Sequence, residues 1–168
     1  MGLTEIAIIK EHQTLLRKAE YYTNTNNKIL KIFYKARLFC LQNKYGLHIS
    51  LNCCGKGLKI MHLGSILMNG RVTVGENCAF HINTALVAAE SSNGAPTLSD
   101  GVVGIGAVVL GDVVVGTNVA IGANAVVNKS ILEENVAVAG VPAKIVSSNG
   151  RTCWNKGARA KEDKNENV

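Results

Sequence analysis

Val103, Val109, Val115, Ile121 and Val127 stand six residues apart, and Ala107, Val113, Val119, Ala125 and Ile131 repeat that step four residues further on. An earlier run, Ile60, Ile66, Val72, Cys78 and Thr84, keeps the same step, flanked by Met68, Val74, Phe80 and Leu86. A six-residue period is neither the ~3.6 of a helix nor the plain alternation of a long strand. It describes a short strand, a turn, and the next short strand. One such unit cannot bury its apolar side, but stacked coils share a continuous interior. Residues 49–146 are therefore predicted to form a mainly β domain of stacked coils. Its Val and Ile point inward, and Gly and Asn occupy corners that need positive φ. "AAESSNGAP", 88–96, interrupts the hexads and reads as an external loop. "LSDGVVGIG", 98–106, resumes them one residue out of register.

The remainder of the chain obeys another rule. All 18 valines lie at Val72 or later, six of the eight aromatic residues lie at or before Tyr45, and no glycine falls between Gly2 and Gly46. Residues 1–48 read as an α-helical segment. Ile6, Ile9, Leu15, Leu16, Ala19 and Tyr22 keep helical spacing. "TNTNN", 23–27, breaks the run, and Ile29, Leu30, Ile32, Phe33, Ala36, Phe39 and Cys40 form a second apolar face. Two such helices are too short for a core of their own and are expected to pack on the rest of the chain or on another subunit. Residues 147–168 read as a basic tail.

Charge and cysteines exclude several classes. The net charge of +6 resides at the two ends, while residues 49–146 are nearly neutral, so no basic stripe for nucleic acid lies on the folded body. Five cysteines, an odd number without C-x-x-C spacing, read as reduced structural thiols of a cytoplasmic protein. The opening residues lack a secretory apolar core. The apolar stretch 101–127 contains Asp112, Thr117, Asn118 and Asn124 and follows the six-residue period, which argues against a membrane span. "GVVGIGAVV" lacks the third glycine and the strand–helix setting of a dinucleotide site.

"GLKIMHLGSI" (57–66), "VGENCAFHIN" (74–83), "IGANAVV" (121–127) and "AGVPAKIV" (139–146) resemble the hexapeptide-repeat acyltransferases. The likeness is to the branch that holds serine O-acetyltransferases and sugar or polysaccharide O-acetyltransferases. It implies a left-handed parallel β-helix, a homotrimer, and acetyl-CoA as acyl donor in the groove between neighbouring β-helices. No metal is expected.

Acetyl transfer from a thioester to a hydroxyl needs a base for the hydroxyl proton and an acid for the leaving thiolate, and one histidine can be both. By resemblance that histidine is His62, in "H-x-G". The family's upstream Asp, which orients it, is missing from "YGLHISLN". Its place falls on His48 or Leu47, so a backbone carbonyl, His48 or an acid from elsewhere in the chain must orient the ring. His81 matches a histidine of sugar-directed relatives, and in this chain it either binds acceptor, assists proton transfer, or is structural. By position the family's CoA contacts fall on Ala88, Ile105, Ala123 and Lys144. Lys144 either meets a CoA phosphate or is a surface lysine.

The acceptor is read from departures. Serine acetyltransferases carry an Arg-His pair where this chain has Gly94 and Ala95, an acid where it has Met61, and a large helical domain ahead of the β-helix. The expected acceptor is therefore a sugar or polysaccharide hydroxyl. The alternatives are serine, for cysteine synthesis, and a non-enzymatic β-helix scaffold.

Overall fold

Asn27 begins the clearest local boundary in the chain. The computed structural model describes residues 3–89 and 94–151. Helix α1 (Leu3–Asn24) and helix α2 (Lys28–Tyr45) are separated where expected. The Asn27 side chain accepts from the Leu30 N–H and caps α2, while Gly46, at φ 73°, ends it with its N–H on the Gln42 carbonyl.

Short strands then wind into three parallel sheets. The first contains β1 (Leu47–Ile49), β3 (Ile66–Met68), β6 (Thr84–Val87), β9 (Val108–Leu110) and β12 (Val126–Val127) in that order. The second contains β4 (Thr73–Val74), β7 (Thr97–Leu98) and β10 (Val114–Val115). The third runs β2 (Lys59–Ile60), β5 (Ala79–Phe80), β8 (Gly101–Val103), β11 (Val119–Ile121), β13 (Ala137–Ala139) and β14 (Lys144–Ser147). Among the described residues only β14 is antiparallel to its neighbour. The result is the β-solenoid that the hexad predicted, with Phe80, Ile66, Met68, Leu86, Val109 and Ile121 buried along its axis.

Coil length explains the slipped register. Met68 pairs with Leu86, a step of three whole hexads. Leu86 pairs with Val109, one position short of four whole hexads, because the excursion around 88–96 does not add a complete hexad. Residues 90–93 of that expected loop lie outside the described residues, as does most of the expected tail, 152–168.

The corners hold both expected residue types. Positive φ falls on Asn52, Asn77, Asn83, Asn118, Asn124 and Asn135, and on Gly57, Gly106, Gly111 and Gly140. Asparagine tolerates that region because its short polar side chain bonds locally. In two successive coils Asn118 Nδ2 donates to Asn135 Oδ1 at 2.8 Å. Gly104 and Gly122 are needed for a different reason: a Cβ there would stand 2.7 Å from the Ile121 carbonyl oxygen and 3.1 Å from that of Val138, in the next coil.

Helix α1 lies across the first coil and satisfies its backbone. Gln13 Nε2 donates to the Leu58 carbonyl (2.7 Å), Arg17 donates to the carbonyls of Cys54 (2.8 Å) and Gly55, and Glu20 Oε1 accepts from the Asn52 N–H (2.9 Å). Ile9, Leu15, Leu16 and Ala19 bury the apolar side of the same helix.

His12 belongs to that face, fully buried, with its Nε2–H donating to the Leu47 carbonyl at 3.2 Å. Burial holds its pKa below the usual 6.5, and the bond to Leu47 only partly opposes this. The unfolded chain then binds the proton more readily. The stability from neutral His12 is present above the unfolded value of 6.5 and is lost progressively as the pH falls below it toward the lower folded value. Thermal midpoints are expected to drop between about pH 7.5 and about pH 5.5, and to drop less in His12→Gln. Equal slopes in the two proteins would show that His12 does not carry the effect.

Candidate active site

The register of the third sheet aligns several residues on one corner. Ile60 pairs with Phe80, Phe80 with Val103, and Val103 with Ile121. The ladder continues one residue further: the N–H groups of Met61, His81 and Gly104 donate to the carbonyls of Phe80, Val103 and Ile121. One more step along the chain brings His62, Ile82, Ile105 and Ala123 into a single column at the turn between the third sheet and the first. His62, Ile105 and Ala123 are exposed. Lys144 pairs with Ala139, at the far end of the same edge.

His62 sits at the head of this column with its side chain half exposed. Its Nδ1 lies 3.6 Å from Glu5 Oε1, an ion-pair distance. The same oxygen accepts from the Leu63 N–H at 2.7 Å. That bond holds the Glu5 carboxyl below its usual pKa; partial burial opposes it, and nearby His62 acts in the same direction as the bond. Glu5 is therefore the carboxylate beside the imidazole, brought to the β-helix by the first turn of α1.

His81 is buried next to it, the two rings 6.2 Å apart between centroids and tilted by 41°. Thr84 Oγ1 donates to the His81 carbonyl at 3.0 Å and fixes this turn. Burial, and then the neighbouring His62, push the His81 pKa down. A ring kept neutral beside a solvent-facing one suits a partner that handles a proton or a hydroxyl.

Not every expected residue joins the column. His48 lies on β1 in the first sheet, opposite Leu67 of the next coil, and the group set against His62 Nδ1 is Glu5. Ala88 follows β6 and is buried at the next corner, between the first and second sheets. Gly94 packs against the second sheet's corner, where a Cβ would meet Asp112 Cγ at 2.0 Å. Glu5 escaped the sequence reading. Its one signal is a shared helical face with Ile9, His12 and Leu16, at the three- and four-residue steps of a helix.

No family model matches the chain. Serine acetyltransferase of Buchnera aphidicola is 32% identical over 153 residues, covering 86% of this chain and 54% of the relative. That of Synechococcus elongatus is 32% identical over 99 residues, 57% of this chain and 40% of the relative. The crystal structure of serine acetyltransferase from Brucella abortus in complex with coenzyme A superposes with a TM-score of 0.66 at 28% identity, over 82% of this chain and 55% of that one. The chain is thus similar in sequence and in fold to serine acetyltransferases. It spans about half the length of the relatives it matches. Among the described residues, no group of three or more His, Cys, Asp or Glu side chains gathers as a metal site, and no helix is long and apolar enough to cross a membrane.

Proposed function

We propose that this chain is an acetyl-CoA-dependent O-acetyltransferase with His62 as its general base. The observation that carries the reading is the corner column, with a solvent-facing imidazole backed by a carboxylate at Nδ1. In this scheme His62 Nε2 takes the proton of the acceptor hydroxyl as its oxygen attacks the thioester carbonyl, and returns that proton to the leaving sulfur. His81, buried beside it, helps to hold the acceptor. Ile105 and Ala123, stacked below on the same corner, offer backbone groups and an open surface to the donor, and Lys144 at the end of the edge supplies a point charge for a phosphate.

The acceptor needs a correction. The sequence favoured a sugar hydroxyl, whereas the relatives named above are serine acetyltransferases, which supports serine better. Gly94 has no room for a side chain, so an anchor for a serine carboxylate would come from elsewhere than this position. A screen of CoA thiol release decides the acceptor. L-serine is expected to stimulate release well above common sugars. Stimulation by a sugar alone would reassign the acceptor, and no stimulation by either would favour the scaffold reading.

The reading includes a homotrimer. It is supported by the outer face of the first sheet, where His48, Leu67, Ala85, Val108 and Val126 align and Leu67 is exposed. Apolar side chains lined up on one sheet face suit burial against a second copy. The free cysteines among the described residues, Cys40, Cys53, Cys54 and Cys78, suit a reducing compartment such as the cytoplasm.

A further inference from the structure

We propose that Glu5 is the positioning residue of His62, a carboxylate carried by the capping helix and not by the β-helix itself. The inference rests on His62 acting as the base.

Three observations carry it. First, Glu5 Oε1 makes both contacts, accepting from the Leu63 N–H at 2.7 Å while lying 3.6 Å from His62 Nδ1. The carboxylate thus holds the backbone next to the histidine as well as facing the ring. Second, the helix that carries it is fixed along its length by the bonds of His12, Gln13, Arg17 and Glu20 to the first coil. Glu5 is placed by that whole face and not by a loose terminus. Third, this is the one ion pair made by His62 among the described residues.

The chemistry follows from the nitrogen it faces. An anion at Nδ1 favours the tautomer with the proton on Nδ1 and leaves the Nε2 lone pair for the acceptor hydroxyl. It also steadies the imidazolium formed when Nε2 takes the proton. The 3.6 Å separation is longer than a hydrogen bond. Catalytic hydrogen bonds of this kind are often long before substrate binds, and a small rotation of a half-exposed ring closes the gap.

Two variants of the full chain separate positioning from support of the fold. Glu5→Gln keeps an oxygen that can accept from the Leu63 N–H but removes the charge. Glu5→Ala removes both. In Glu5→Gln, kcat is expected to fall about 10- to 100-fold with KM for acetyl-CoA nearly unchanged. The thermal midpoint of this variant should stay at the wild-type value. Imidazole 15N spectra, recorded where the ring is neutral, are expected to show His62 protonated on Nδ1 in the wild type and a mixture of tautomers in Glu5→Ala. Wild-type kcat in Glu5→Gln would overturn the proposal, and so would an unmoved tautomer in Glu5→Ala. If the wild type transfers no acetyl group to any acceptor, the acetyl-transfer reading fails. The tautomer measurement then decides the Glu5 contact by itself, a shift upholding it and no shift overturning it.

Discussion

Replacing His62 by alanine is expected to lower kcat for acetyl transfer by about 10²- to 10⁴-fold, the range over which a positioned acid–base group contributes. The fold should be unaffected. The imidazole is half exposed at a corner, and the Glu5 carboxylate keeps its bond to the Leu63 N–H when the ring is gone. The control is circular dichroism and a thermal midpoint equal to wild type. Binding of acetyl-CoA, followed by calorimetry, should persist, because the proposed donor surface at Ile105 and Ala123 lies further down the column. Near wild-type turnover in the variant would remove His62 from the reaction and leave the column without a base.

Phe80→Ala is expected to have the largest effect on stability, about 3–5 kcal/mol of destabilisation. Phe80 is fully buried and is the largest such side chain among the described residues. It pairs with Ile60 above and Val103 below, so its loss opens a cavity shared by three coils. Neighbouring coils are tied by parallel ladders and cannot slide inward to fill it. Against a typical total of roughly 5–15 kcal/mol, such a loss is severe. Urea denaturation gives the measurement, and a midpoint close to wild type would show that the stack collapses around the gap. Because Phe80 precedes His81, turnover in this variant should fall together with stability.

The six-residue period made the coil, its interior and its slipped register legible, because these depend on neighbours within one or two hexads. Ile105 and Ala123 could be placed on one corner for the same reason, since Val103 and Ile121, just before them, pair across a regular coil of three whole hexads. The link between His62 and that corner was harder. The steps from Ile60 to Phe80 and from Phe80 to Val103 are not whole numbers of hexads, so alignment depends on pairings that no local pattern prints. The partner of His62 was hidden most completely. The missing acid of "YGLHISLN" could be seen as a gap, but its replacement is a side chain near the start of the chain, on a different element. Contacts of that kind are fixed by how a helix docks, and docking leaves little trace in periodicity. The glycines show the same limit. Their need was visible, yet the close approach of the next coil at Gly104 and Gly122 was not.

A stack of coils has no intrinsic length, since each coil ends in backbone groups able to accept another. In this chain both ends are closed by different means. At one end His12, Gln13, Arg17 and Glu20 occupy the backbone groups of the first coil. At the other, β14 turns back antiparallel on β13 and breaks the parallel pattern. Either end left bare would be an edge on which a second molecule could continue the spiral, the route by which open sheets grow into fibres. The docked face of α1 is therefore also a stop signal, which keeps a sequence built for indefinite stacking in a molecule of finite size.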